Sequence, residues 1–300
     1  MRITDKMLQR NYLSSLSQIS ERTYNAQQQV LTGKKLSKPS DNPVNAMNAL
    51  SIRSRLSTFE QYQKNIDNST KNLETTNTAI DQMSNIFEEL SSLAIKGNTE
   101  VQTESDNQTI ITEANQLIDE MFNIANTKSD SGYIFAGTKT DSKPYQAQRN
   151  ADGEITKITT TGSSGDILNL IGDNMKIKVN VSGEDFFEKD INLFDTAISL
   201  RDNLVSKNAS GLENDITNLN DATDKIYNLE SIVGSRLNRV ESAGARVEND
   251  NMNYTQFLSE IEDIDPSVAI MNYQMELDIL QNTLSAGSKV FQPRLIDFLQ

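Results

Sequence analysis

The sequence predicts a mainly α fold: a long antiparallel, coiled-coil-like helical rod built from both chain ends, with a small β-rich outer insert. Three observations predict it. Two runs of apolar residues, each about 50 residues long and spaced alternately three and four apart, flank the middle of the chain. The stretch between them is Gly-enriched and changes to a period of two. Only 36% of the 300 residues are hydrophobic and 6% aromatic, with no Trp. That is too few large side chains for one big core, but enough for helices that each bury a stripe. The expected parts are a terminal helix and turn (1–42) that pairs with 264–300, a first rod half (43–132), the insert (133–192), a second rod half (193–263) and a final helix (264–300).

Leu8, Tyr12, Leu16, Ile19, Thr23, Ala26 and Val30 fall three or four apart, which predicts an amphipathic helix over 8–30. Gly33 can end it in a left-handed conformation. Pro39 and Pro43 disfavour helix in the residues before them. Asn42-Pro43 then reads as an N-cap followed by Pro at the first helical position. Ala49, Ile52, Leu56, Phe59, Gln63, Ile66, Thr70, Leu73, Asn77 and Ile80 continue as a heptad seam with polar members. An extra three-residue step to Met83 leads on to Phe87, Leu90 and Ala94. At ~1.5 Å per residue this helix is a rod of roughly 78 Å. Gly97-Asn98 stops it, and a third helix is expected over about 104–129.

From Ser129 the composition changes. Gly132, Gly137 and Pro144 punctuate a loop, and Asp152-Gly153 signals a two-residue hairpin between YQAQR and EITKITT. Met175, Ile177, Val179 and Val181 alternate as one face of a strand. Helix returns near Leu193. The second seam runs Ile216, Leu219, Thr223, Ile226, then Val233 to Ile261, with an irregularity at Leu229. Because each rod carries its own seam, the insert is expected to be separable from them. Asp265-Pro266 caps a last helix, in which Val268, Met271, Met275, Leu277, Leu280 and Leu284 cover more than half the circumference. Val290, Phe291, Leu295, Ile296, Phe298 and Leu299 follow.

The terminal helices are the candidate functional feature. Their apolar stripes can be covered by the opposite end or by other chains, and isolated helices of this length are marginal in water. Ends ordered by assembly are therefore expected. The candidate interface is Leu8, Tyr12, Leu16, Ile19, Val30, Met271, Met275, Leu277, Leu280, Leu284, Phe291, Leu295 and Phe298. For any single stripe, core packing within one molecule is the more ordinary explanation.

Chemistry is constrained by what the composition lacks. Neither Cys nor His is present, so disulfides and Ser-His-Asp or Cys-His catalysis within the chain are excluded, and zinc nearly so. No Walker A or G-x-G-x-x-G stretch occurs. Catalytic residues, metal ligands and cofactors are all expected to be none. Ser40-Asp41 reads as turn and cap, and Lys34-Lys35 as a solvated turn. The net charge of −14 repels nucleic acid and anionic lipid. The opening MRITDKMLQRNYLSSL does not read as a secretory signal and no stretch approaches the ~18 apolar residues of a membrane span, so a cytoplasmic protein, or one exported without cleavage, is expected.

MRIT at the start and QVLTGKKLSKPSDNPVNAMNAL (29–50) resemble the N-terminal region of the flagellin superfamily. EIEDIDPSVAIMNYQMELDILQNTLSAGSKVFQPRLIDFL (260–299) resembles its C-terminal helix. The turn Pro39, Ser40, Asp41, Asn42, Pro43 and the segment beginning Gly132, Tyr133, Ile134, Phe135, Ala136, Gly137 are similar to the hook-associated branch of that superfamily, which serves the hook–filament junction. The second segment matches that branch's entry into its outer domain. The resemblance covers roughly 1–145 and 215–300.

The resemblance implies a structural, non-enzymatic flagellar protein needed for filament assembly and motility. It would be exported unfolded through the flagellar type III apparatus, without a cleaved signal, to an extracellular position. The implied partners are copies of itself in a helical ring, the first hook-associated protein, the flagellin filament and a cytoplasmic export chaperone holding the C-terminal helix. A flagellin-type filament subunit is the near alternative. A helical translocator or adhesin of another secretion system is a more distant one.

Overall fold

A computed structural model describes residues 5–36, 38–40, 42–98 and 103–290. Its helices are α1 (Asp5–Thr32), α2 (Pro43–Gly97), α3 (Glu104–Ala125), α4 (Leu193–Ser206), α5 (Ala209–Glu262) and α6 (Pro266–Val290). Between α3 and α4 lie β1 (Lys128–Ser129), β2 (Gly132–Tyr133), β3 (Tyr145–Arg149), β4 (Ile155–Thr160), β5 (Leu168–Gly172), β6 (Met175–Lys178) and a π-helical turn, Glu184–Glu188. The strands pair as three separate antiparallel hairpins, β1–β2, β3–β4 and β5–β6. The fold is therefore mainly helical with a small β insert, as the periodicities predict. The chain divides into two compact units: a terminal unit (1–58 with 249–300) and a central unit (59–248).

In the terminal unit α1 packs along α6. Gly33 ends α1 at φ +68°, its N–H donating to the Gln29 carbonyl at 2.9 Å. Asn42 caps α2 by accepting from the Asn45 N–H at 3.1 Å, and Asp265 caps α6 by accepting from the Ser267 N–H at 2.7 Å. Both Pro-containing restarts follow the local rule that a missing N–H costs nothing at a helix start.

In the central unit the two long helices carry seams more regular than their apolar residues alone suggest. On α2 the seam reads Phe59, Tyr62, Ile66, Ser69, Leu73, Thr76, Ile80, Met83, Phe87, Leu90, Ala94, an unbroken alternation of three and four, all of it buried. The expected polar members Gln63, Thr70 and Asn77 are only half-buried, beside the seam. For the two carboxamides, Gln63 and Asn77, the reason is hydrogen bonding. Ser69 and Thr76 donate their hydroxyls to the carbonyls of Asn65 (2.5 Å) and Asn72 (2.8 Å), four residues back. A carboxamide such as Gln63 or Asn77 has too many polar atoms to be satisfied in that way. The extra three-residue step expected at Ile80–Met83 falls instead at Leu56–Phe59–Tyr62.

On α5 the sequence Leu212, Asp215, Leu219, Ala222, Ile226, Leu229, Val233, Arg236, Val240, Ala243, Val247 is likewise unbroken in spacing. Leu229 lies in register, so no irregularity exists there. The helices run antiparallel: Gly244 faces Ile66, and Tyr227 donates to Glu88 at 2.7 Å.

α3 ends at Ala125, short of the expected 129, because Asn126 caps it and the chain turns into β1. Asp152-Gly153 lies within a five-residue connection (150–154) rather than a two-residue turn. There the Asn150 side chain accepts from the N–H groups of Asp152 (3.0 Å) and Glu154 (2.9 Å), and Gly153 takes φ +87°. Of the strand expected at 175–181, β6 covers Met175–Lys178, with one further backbone bond from the Val179 N–H to the Ile167 carbonyl at 3.0 Å, and Met175 on its expected inner face is half-buried.

The insert expected to be separable packs closely against the helices around it. Phe186 and Phe187 of the π-helical turn are fully buried, together with Phe135, Tyr145 and Phe194. Their rings stack or meet edge-on with centroids 4.6–5.3 Å apart. Phe194 belongs to α4, so the aromatic core joins insert to helix. Buried Arg201 of α4 donates to Asn115 of α3 and to the Ile155 carbonyl of β4, both at 3.0 Å. On the other side, Asn65 of α2 donates to the Leu170 carbonyl at 2.8 Å, and Asn169 to Ser69 at 2.9 Å.

Candidate functional site

The α1–α6 seam is built from one face of each helix. Tyr12 donates to the Thr283 carbonyl at 3.0 Å, and Thr23 reaches the Glu276 carbonyl at 3.4 Å. Arg22 forms a 3.6 Å ion pair with Glu276. Leu16, Ile19 and Val30 share the helical face of Tyr12 and Thr23 and are half-buried. On α6, Leu277 and Leu280 are half-buried, while Gly287 is buried against Tyr12; a Cβ there would lie 2.1 Å from the phenolic oxygen. These predicted interface residues are thus already partly covered within one chain.

Leu8, Met271, Met275 and Leu284 remain exposed. They have company, and apart from Val268 none of it lay on the predicted stripes. Met7, Leu13, Tyr24, Leu31, Val44, Met47, Leu50, Met252, Phe257, Val268 and Ile270 are exposed in the same unit. Fifteen of the twenty large apolar side chains exposed among the described residues belong to the terminal unit, so the apolar surface is concentrated there. The signal was present in the sequence as apolar residues lying off the main stripe, such as Leu13 and Tyr24. Phe291, Leu295 and Phe298, also predicted for this surface, lie outside the described residues.

Just ahead of the turn motif, the segment 33–35 holds the two helix breaks of this unit together. Glu262, the last residue of α5, is 4% exposed. Its carboxylate accepts from Lys34 at 2.7 Å and from Arg53 of α2 at 2.8 Å. Burial works against the carboxylate, but these two hydrogen bonds and the attraction of both cations outweigh it and hold the Glu262 pKa below its ordinary value. The backbone adds a bridge: the Lys35 N–H donates to the Glu262 carbonyl at 2.6 Å, and Ile264 to the Gly33 carbonyl at 3.0 Å. Lys34 is therefore a clamp residue rather than part of a solvated turn, and sequence patterning gave no sign of Glu262 or Arg53. Within the motif, Pro39, Ser40, Asn42 and Pro43 are exposed, and Asp41 lies outside the described residues.

The segment at 132–137 is a backbone fitting. Gly132 and Gly137 take φ +110° and +62°, and a Cβ on Gly137 would lie 1.7 Å from the Ser163 carbonyl oxygen. Between them Tyr133 is half-buried, while Ile134, Phe135 and Ala136 are buried. The Phe135 carbonyl accepts from Gly183 at 2.9 Å. Elsewhere in the central unit, Lys225 is brought down to about 8, chiefly by burial. Its ammonium donates to the carbonyls of Lys189 and Ile191, tying the π-helical turn's exit to α5. No group of three or more acidic residues that could hold a metal ion occurs among the described residues, and none of their helices is long and apolar enough to cross a membrane.

Comparison with known proteins agrees with this arrangement. The family described as the bacterial flagellin N-terminal helical region matches residues 3–140, and the bacterial flagellin C-terminal helical region matches residues 216–299. Flagellar hook-associated protein 3 of Escherichia coli (strain K12) is 24% identical over 308 residues, covering 97% of this chain and 96% of that protein. A flagellin of Clostridium tyrobutyricum is 23% identical over 233 residues, covering 73% of this chain and 60% of the flagellin. The crystal structure of the flagellar junction protein FlgL from Legionella pneumophila shares the fold, with a TM-score of 0.57 at 17% identity, covering 73% of this chain and 100% of that one. With the terminal regions matched at both ends of one helical fold, the chain belongs to the flagellin family of structural proteins of the bacterial flagellum.

Proposed function

We propose that this chain is the hook-associated protein that joins the flagellar hook to the filament, acting as a structural subunit and not as an enzyme. The observation that carries this reading is the end-to-end similarity to a hook-associated protein, insert included, where the flagellin similarity covers a smaller part of both chains. The terminal unit supports it physically. An apolar surface concentrated beside the paired chain ends is what a subunit needs in order to join neighbours.

On this reading the subunit reaches an extracellular position by the flagellar type III apparatus. A cytoplasmic chaperone covers the C-terminal helix before export, and the assembled partners are further copies of the chain, the first hook-associated protein and flagellin. The assembly surface includes Leu8, Met271, Met275 and Leu284. Deleting the gene tests the assignment. Cells without the protein should build hooks, carry no stable filaments and shed flagellin into the medium, and should recover filaments on complementation. Normal filaments on deleted cells would overturn the junction reading. Loss of all filament material from cells and medium alike would point to a filament subunit instead.

A further inference from the structure

The methionines of this chain are divided by place. In the central unit Met83 and Met121 are fully buried, and Met175 is half-buried with Arg246 donating to its sulfur at 3.6 Å. In the terminal unit every methionine whose side chain is described stands in the open: Met7, Met47, Met252, Met271 and Met275 are between 53% and 72% exposed. They come from α1, α2, α5 and α6, so each helix of the unit contributes at least one.

A thioether is apolar, flexible and polarizable, which suits a surface that must fit neighbours of unlike shape. It also has a chemical liability that Leu lacks. A two-electron oxidant such as a peroxide transfers one oxygen to the sulfur. A sulfur–oxygen bond forms, the peroxide O–O bond breaks, the sulfur is oxidised, and the peroxide is reduced to water. The sulfoxide is polar, and enzymes can reduce it back to the thioether. Access governs where this happens, so the buried sulfurs are protected and the five open ones are not. Each oxidation puts a strong acceptor on apolar surface. That is harmless while the surface faces water and costly once a neighbour covers it.

We propose that Met7, Met47, Met252, Met271 and Met275 form a peroxide-sensitive, reversible modification surface that blocks joining to neighbouring subunits while leaving the folded chain intact. The blocking part rests on the junction reading above. The test uses the purified full chain, treated or untreated with hydrogen peroxide. Oxidation is mapped by peptide mass spectrometry, helix content by circular dichroism, and joining by co-sedimentation with hooks isolated from the deletion strain. The five exposed methionines should gain oxygen well before Met83 and Met121. Treated protein should keep its helical signal but no longer sediment with hooks, and methionine sulfoxide reductases should restore the joining.

A second protein, carrying Met7→Leu, Met47→Leu, Met252→Leu, Met271→Leu and Met275→Leu, keeps an apolar surface and should join hooks before and after peroxide. Should that variant fail to fold, recovery of joining by the reductases on the native chain decides the question alone. Oxidised native protein that joins as well as untreated protein would overturn the proposal and leave the junction reading standing. Untreated native protein that does not join would overturn the junction reading and the blocking claim with it. Oxidation of Met83 as fast as Met271 would overturn the claim of selectivity.

Discussion

At the residue scale, Glu262 shows how a single buried carboxylate can hold a turn. It draws Lys34 and Arg53 to one point, and its folded pKa is depressed. A depressed carboxylate contributes stability above its unfolded pKa, near the ordinary 4.5, and that contribution is lost as pH falls through the lower folded value. Glu262→Ala leaves two cations facing each other and should lower stability by about 1–3 kcal/mol at pH 7. The partial exposure of both cations argues for the low end of that range. The difference between native and variant should shrink on acidification below pH 4.5, which denaturant titrations at several pH values would measure.

Gly287 is the other decisive single position. Gly287→Ala would place a methyl group against Tyr12, and the ring must move away from Thr283. A loss of about 1–3 kcal/mol is expected. Faster amide hydrogen exchange confined to α1 and α6 would report it. Neither residue was legible in the sequence. A lone Glu at a helix end and a Gly among small residues carry no periodic signal, because their importance comes from segments more than two hundred residues away.

At the element scale, the long helices were legible and their seams only partly so. Starts and stops followed from Asn42-Pro43, Asp265-Pro266 and Gly33, where local chemistry fixes the backbone. The register was harder, because counting apolar residues puts Gln63 and Asn77 on the seam, whereas burial selects Ser69 and Thr76, whose hydroxyls can bond to their own helix. β5 and the π-helical turn gave no sequence signal. Leu168–Gly172 does not alternate cleanly, and two adjacent phenylalanines cannot both lie at the centre of a narrow α-helical stripe.

That turn makes the insert part of the central unit's core. Phe187→Ala should cost about 3–5 kcal/mol. Its unfolding should remain a single transition in which the insert and α4 melt together, seen as coincident near- and far-ultraviolet circular dichroism curves. Replacing 146–190 with a short Gly/Ser linker would bare Phe135, Tyr145 and Phe194, and much of the central unit's helical signal should be lost. A fully helical, cooperatively folding deletion would show that the seams of α2 and α5 suffice.

At the scale of the whole molecule, the two units differ in what they leave uncovered. The central unit leaves few of its large apolar side chains exposed, namely Ile95, Leu168, Val205, Tyr227 and Ile232 among the described residues. The terminal unit closes a seam between α1 and α6 and still exposes three times as many. The candidate surface was legible as far as both ends being amphipathic. Its outer face was not, because a one-dimensional stripe does not say which side meets the opposite helix and which is left open. That division separates Leu280, which is half-buried on α6, from Leu284, which is 51% exposed. Leu280→Asp would disturb the chain's own packing as well as any neighbour's, so it cannot isolate assembly.

Leu284→Asp can. Its carboxylate stays in water in the single chain, and costs several kcal/mol only where a neighbour covers it without a compensating partner. The decisive measurement is complementation of a deletion strain with Leu284→Asp, scored by electron microscopy, with secretion of the variant verified and its helicity checked on purified protein. The account predicts a secreted, fully helical variant on whose cells hooks end bare. Normal filaments on those cells would contradict it.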